Sequence, residues 1–326
     1  MKKFSKVVLL VLAAMVMLTG CSTGKNVSAD DENTFDIGII QLAEHPALDD
    51  ARIGFEEGLK ELGVNVKIHY QNAGGEIPNT LAMSEKFVSD GVDLIYAIAT
   101  PAAQSAKQST LDIPILFSAV TDPVLAELVD SMENPGSNIT GTSDLSPMDR
   151  QLQLFKDLDK TIEKVGIIYN TSEPNSQVQV EQAKELAPSV GIEIVEVGIS
   201  SINDITLALD SIVGKVDGIY TITDNMVASS IGLVANKAIE NNLITIGGED
   251  SHVHGGILMT DGISYFELGK QTARMAKEIL VDGKSPSEIP SETAINTSKV
   301  FNEETLNLLN IDQNNKAFEN GTKIEP

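Results

Sequence analysis

The chain has 326 residues, of which 42 % are hydrophobic, enough for two medium-sized domains rather than one small core. Its 47 acidic and 23 basic residues give a formal net charge of −24, which argues against a nucleic-acid partner and against surface binding to anionic lipid. A single cysteine leaves no disulfide framework to build, and with no tryptophan and 4 % aromatic residues no stacking platform for sugars or bases is on offer.

The N-terminus carries Lys2, Lys3 and Lys6, then an unbroken apolar run over 7–18. That run suits a signal h-region and is too short for a membrane span, which takes about 20 residues. It ends at Leu18-Thr19-Gly20-Cys21, where small residues precede the lone cysteine. This resembles a bacterial lipoprotein signal, cut before a cysteine that already bears a diacylglycerol. Residues 1–20 are therefore expected to be a signal peptide and Cys21 the lipidation site. The polar stretch over 21–34 is then a flexible tether, holding the folded part on the extracytoplasmic face of the cell membrane. The alternative is a plain secretory signal with an incidental cysteine.

From residue 35 short apolar runs alternate with amphipathic stretches. The pattern predicts a strand over 35–40, a helix over 46–62 stopped by Gly63, and a strand over 64–68. A helix starting at Ile77-Pro78, a strand over 93–99, a helix over 101–108 and a strand over 115–117 follow. Asn134-Pro135-Gly136-Ser137-Asn138 is a dense turn signal, with 139–142 as a crossing segment. The alternation then resumes: strand 164–169, helix 176–186, strand 191–197, helix 204–213, strand 216–220, helix 225–241 and strand 243–246. A strand over 255–260, a helix over 265–281 and an extended stretch imposed by Pro286 and Pro290 complete the pattern.

Two segments match beyond periodicity. Val92-Asp93-Leu94-Ile95-Tyr96 aligns with Val216-Asp217-Gly218-Ile219-Tyr220, sharing aspartate, isoleucine and tyrosine before a helix. The fold class expected is α/β, with two Rossmann-like lobes built on parallel sheets and a ligand cleft between them. The first lobe takes 35–140 plus about 260–285, and the second 141–259 plus about 286–326, both discontinuous.

Reactive constellations are missing from the sequence. There is no phosphate-binding loop, dinucleotide fingerprint, nucleophile elbow or His-Glu-x-x-His motif, and no cofactor or metal is called for. His252 and His254, beside Glu249 and Asp250, lack a clear third metal ligand, and the bracketing glycine pairs favour a loop there. His45 before Pro46 has no nucleophile beside it and reads as a polar contact or helix-start residue.

Ligands of open parallel sheets sit beyond the carboxyl ends of the strands. Those ends carry Gln41, Thr100, Ser118 to Asp122, Asn170 to Asn175, Thr223-Asp224-Asn225 and Glu249-Asp250. Thr100 precedes Pro101, and the backbone N–H groups of Ala102 and Ala103 at that helix start suit a carboxylate. Asp122, Asp224 and Asp250 suit an ammonium group, though Asp122 and Asp224 equally suit helix caps. Donors on one side and carboxylates on the other fit a zwitterion, so an α-amino acid is the expected ligand. Phe117, Tyr169 and the Ala47-Leu48 turn either supply its apolar contacts or pack the core.

The segments His45-Pro46-Ala47-Leu48-Asp49, Gly54-Phe55, Ala99-Thr100-Pro101-Ala102-Ala103-Gln104, Phe117 to Pro123, Asn138-Ile139-Thr140-Gly141 and Thr223-Asp224-Asn225 together resemble the TrpX-like ABC transporter substrate-binding lipoprotein family. The resemblance implies the type I periplasmic-binding-protein fold and a receptor that closes on its ligand and passes it to a membrane permease driven by an ATPase. It implies an aromatic amino acid, tryptophan above all, held at its carboxylate by Thr100 to Ala103, with Asp122, Asn170 and Asp224 as further cleft residues; the family does not fix the side chain, and branched-chain or other amino acids stay open. A ligand sensor of the same fold feeding a signalling partner, and a surface metalloenzyme using the His252 region, are the other readings.

Overall fold

A computed structural model of the chain describes residues 34–324; the expected signal, Cys21 and the tether up to residue 33 lie outside the described residues. The first half runs β1 (Phe35–Gln41), α1 (Pro46–Glu61), β2 (Val66–Asn72), α2 (Ile77–Asp90), β3 (Leu94–Ile98), α3 (Thr100–Ser109), β4 (Ile115–Val120) and β5 (Ile139–Ser143). The second runs α4 (Met148–Leu158), β6 (Lys164–Asn170), α5 (Pro174–Leu186), β7 (Glu193–Ile199), α6 (Ile205–Ile212), β8 (Gly218–Thr221), α7 (Asn225–Ala228), α8 (Ile231–Glu240), β9 (Ile244–Gly247), α9 (Asp250–His254) and β10 (Met259–Gly262). Then come α10 (Tyr265–Leu280), β11 (Glu292–Thr293), β12 (Ser298–Asn302), α11 (Glu303–Leu308) and β13 (Thr322–Ile324). Proline lies in the first turn of α1, α2, α3 and α5, where its fixed φ helps and its missing N–H has no intrahelical partner to lose.

The strands form two sheets, ordered β11-β5-β4-β3-β1-β2 and β13-β12-β10-β9-β8-β6-β7. All pairings are parallel except β10 with β12. Both sheets thus contain the same 2-1-3-4-5 order, β2-β1-β3-β4-β5 and β7-β6-β8-β9-β10. The matched sequence segments hold equivalent places in it, on β3 and β8. Asp93 accepts the Asp36 N–H at 2.8 Å through its carboxylate and returns its own N–H to the Asp36 carbonyl at 2.8 Å. Asp217 makes the same pair of bonds with Lys164, at 2.8 Å each. The repeated aspartate is thus a clip between adjacent parallel strands.

Alternation along the strands fills both faces of each sheet, as parallel sheets require. In the first, Ile37, Ile39, Leu94 and Tyr96 face α1 and α10, while Ile40, Ile95 and Phe117 face α2 and α3. In the second, Val165, Ile167 and Tyr220 pack with α4 and α5, and Ile168 and Ile219 with α6 and α8. Helices α1 and α10 approach so closely that a Cβ on Gly54 would lie 2.0 Å from the Phe266 carbonyl oxygen, and one on Gly269 2.1 Å from that of Ala51. Glycine is required at both positions.

The chain passes between the sheets three times, at 144–147, 263–264 and 294–297. The element limits differ from expectation in places. Residues 139–143 are the strand β5 of the first sheet rather than a crossing, and β10 belongs to the second. β11 adds to the first sheet beside β5, so the chain reaches the second sheet after residue 286, at β12. The helix expected over 225–241 is two helices, broken at Ser229-Ser230, where Ser230 leaves helical geometry with ψ 22°. Among the described residues no helix is long and apolar enough to cross a membrane.

Candidate functional site

A cavity lies between the carboxyl ends of the two sheets. Its wall takes His45 from the turn after β1, Ala47 from the first turn of α1, Ala119 from β4 and Asp144 from beyond β5. The second sheet's side supplies Asn175, Thr223, Asp224, Asn225, Ala228, Glu249 and His252, and Tyr265 comes from the start of α10. This is the switch-point geometry of doubly wound sheets, where helices after neighbouring strands leave on opposite faces and open a crevice. His45 spans it: its Nε2 lies 3.2 Å from Asn225 Oδ1. Gln179 Nε2 makes a second bond across, to Thr121 Oγ1 at 3.4 Å. Ala99 and Ala119, at the ends of β3 and β4, hold φ of 88° and 58°, a strained backbone for alanine. Such strain gathers at sites that need a fixed geometry.

Three buried carboxylates face the cavity, and no lysine or arginine lines it. Asp224 caps α7, accepting from the Val227 N–H at 2.8 Å, the Asn170 N–H at 2.6 Å and the Ser176 hydroxyl at 2.7 Å. Burial, with Glu173 adding repulsion, raises its pKa. Glu249 accepts from the Ser251 N–H at 2.6 Å and hydroxyl at 2.7 Å, and its Oε1 lies 3.0 Å from His252 Nε2. Burial raises Glu249 and lowers His252, so the pair is driven towards its uncharged forms. Asp144 is raised by burial as well, with the Tyr265 and Thr121 hydroxyls opposing. His45 is pushed down to about 4, chiefly by burial, and stands neutral at pH 7.

Several buried polar atoms on this wall accept or donate no hydrogen bond: His45 Nδ1, Asp144 Oδ1, Asn175 Oδ1 and Thr223 Oγ1. Each is the kind of group a polar ligand satisfies. Glu173 lies just behind them, receiving Asn225 Nδ2 at 2.5 Å and Asn170 Nδ2 at 3.0 Å. Beyond Asn225 a wider groove runs between Leu42 to Glu44 and Gly74 to Pro78 on one side and Ser172, Ser200 and Met226 on the other.

Of the residues expected from sequence, Asn175, Thr223, Asp224 and Asn225 line the cavity, and Asn170 stands behind Asp224 and on the groove. Asp250 is partly buried beside Glu249, its pKa raised by burial and by that neighbour. The others lie elsewhere. Gln41 is fully buried and donates to the Ala43 carbonyl at 2.7 Å and to Asp49 at 2.9 Å. Ala102, on the buried face of α3, and Phe117 sit in the same core cluster, and the Ala103 N–H is committed to the Ala99 carbonyl at 3.1 Å, so it is not free for a ligand. Thr100 is buried with Oγ1 unpartnered but does not line the cavity. Asp122 caps the turn after β4 through the Val124 and Leu125 N–H groups, at 3.0 and 2.8 Å. Tyr169 packs against the second core.

His252 and His254 belong to a short helix rather than a loop. His252 points inward to Thr221, with Nδ1 to Oγ1 at 3.0 Å, and His254 is exposed. Among the described residues no group of three or more His, Cys, Asp or Glu is placed to hold a metal. Asp144, Tyr265 and Ala228 were not expected in the site. Asp144 and Tyr265 flank chain crossings, which have no repeating pattern, and their one local signal is position beyond a strand or at a helix start.

Two sheets of 2-1-3-4-5 order, joined by three crossings around an inter-lobe cavity of buried polar groups, define a two-lobed ligand-binding protein of the type I periplasmic-binding-protein fold. Residues 36–324 match the family model for ABC transporter substrate binding protein, and the chain belongs to that family. It is 43 % identical over 325 residues to the Tyrosine-binding protein of Clostridioides difficile (strain R20291), covering 95 % of this chain and 94 % of the relative. A Streptococcus pneumonia ABC domain crystallised in complex with L-Trp superposes with a TM-score of 0.83 at 32 % identity, covering 88 % of this chain and 99 % of that one. A ligand-free, open structure of a Clostridium difficile substrate binding protein with adhesive properties is 43 % identical, yet superposes with a TM-score of 0.69 over 89 % of this chain and 99 % of that one.

Proposed function

We propose that the chain is the substrate-binding component of an ABC importer, which captures an aromatic amino acid by lobe closure and delivers it to a permease and its ATPase. The observation that carries this reading is the inter-lobe cavity, bridged by His45 and Asn225 and walled by buried polar atoms without partners. The superpositions support closure as the working motion. The chain lies nearer to the L-Trp complex than to the open, ligand-free structure, although the open one is more identical in sequence. That inversion runs against sequence divergence and is the kind a difference in lobe angle gives, which supports the reading.

The ligand class follows from charge and shape. Three carboxylates and no basic side chain on the cavity wall favour an ammonium group. The ligand carboxylate is assigned to the Thr223 hydroxyl, which is buried and unpartnered on the cavity wall. The relatives named for tyrosine and solved with L-Trp point to the same class. The function is reversible capture, without chemistry. Cys21 carries the lipid in this reading, and the tether over 22–33 lets the receptor reach its permease on the extracytoplasmic face.

Calorimetric titration of ligand-stripped, refolded protein with the twenty amino acids tests the assignment. Saturable binding of tyrosine, tryptophan or phenylalanine is expected. Binding of none of the twenty refutes the ligand class.

A further inference from the structure

The three cavity carboxylates are not equivalent. Asp224 already receives three hydrogen bonds, and Glu249 two from Ser251 besides its contact with His252. Asp144 receives one well-formed bond, from the Tyr265 hydroxyl to Oδ2 at 2.5 Å, with the Thr121 hydroxyl and its own N–H only near enough to ease its charge. Its Oδ1 has no partner, although the residue is 3 % exposed and lines the cavity. A buried carboxylate oxygen left unpaired is costly, and a ligand cation removes the cost.

We propose that Asp144, and not Asp224, receives the ammonium group of the bound amino acid, so that the ligand's charge is recognised at the hinge. The proposal rests on the amino-acid reading given above. Asp144 is the first residue after β5, where the chain leaves the first sheet for the second, and Tyr265 follows the return crossing at 263–264. Their hydrogen bond ties two of the three crossings together. A cation on Oδ1 bears directly on the segments whose dihedrals change as the lobes move, which links charge recognition to closure. It also favours the ionised form that burial disfavours. Tyr265 is a positioning residue: it holds Oδ2 and leaves Oδ1 for the ligand.

The test is calorimetry on wild type, Asp144→Asn and Tyr265→Phe. The probes are L-tyrosine and L-tryptophan and their ammonium-free analogues, 3-(4-hydroxyphenyl)propionate and 3-indolepropionate. Asparagine keeps the shape and removes the charge. Asp144→Asn should weaken the amino acids by at least about 30-fold while changing the analogues by less than about threefold. Unchanged amino-acid affinity, or an equal loss for both kinds of ligand, overturns the proposal. Should Asp144→Asn fail to fold, Tyr265→Phe decides: the preference for amino acid over analogue should shrink several-fold, and an unchanged preference overturns it. Wild-type protein that binds none of the twenty amino acids refutes the ligand class itself, an outcome distinct from either.

Discussion

Asp224 shows how one side chain changes meaning between sequence and structure. From sequence it suits an ammonium partner or a helix cap equally; its three donors make it a cap and a strap between β6 and α7. Asp144 is the reverse, unremarked in the sequence yet the carboxylate with a free oxygen. His45 is the residue with a definite pH signature. Burial holds it at about 4, against 6.5 for a free imidazole, with the Asn225 bond raising it and His252 lowering it further. A depressed value stabilises the closed form fully above pH 6.5, and that stabilisation is lost as pH falls through about 4. Ligand affinity should therefore carry a component that weakens between those limits, worth up to ~3 kcal/mol if opening returns His45 to water. Calorimetry across that range should show the weakening in wild type and a flatter profile in His45→Gln; identical profiles would leave His45 with no part in closure.

Among the elements, the strand–helix alternation of both halves was legible because buried parallel strands read as apolar runs and proline marks the helix starts. The shared Asp-x-Ile-Tyr segment was legible too, and the clip with Asp36 and Lys164 gives its reason. The elements that escaped are those whose stability comes from neighbours. β11 has two residues and β13 three, too short for any period to register, and they exist because a sheet edge is there to accept them. The break at Ser229-Ser230 interrupts no apolar period, so nothing in the pattern marks it. The site was half legible for the same reason. Strand ends of the repeat could be read along the chain, giving Asn175 to Asn225, whereas Asp144 and Tyr265 reach the cavity only once three crossings have been folded into place. The contact of α1 with α10 is the element on which the first lobe depends most visibly. Gly269→Ala forces a methyl group onto the Ala51 carbonyl and should cost about 1–3 kcal/mol, read as a lower urea midpoint. An unchanged midpoint would mean the two helices can separate freely.

For the molecule as a whole, the three crossings make neither lobe continuous, so opening must bend all three together. Gln151 braces the first of them: its Nε2, with two hydrogens to share, lies 2.7 Å from Ser146 Oγ and 3.0 Å from each of the Gly248 and Asp261 carbonyls, while its Oε1 accepts from the Tyr220 hydroxyl at 2.5 Å. A hinge fixed at one end and lined at the other by Asp144 and Tyr265 has a defined axis, with the cavity beside it. Among the described residues the side-chain bonds across the cavity are few, His45 with Asn225 and Gln179 with Thr121, so on the proposed reading a ligand is what favours closure. Small-angle X-ray scattering of ligand-stripped protein, with and without saturating L-tyrosine or L-tryptophan, tests this most directly. A fall in the radius of gyration on adding ligand is the result predicted; binding with no change in that radius would contradict it.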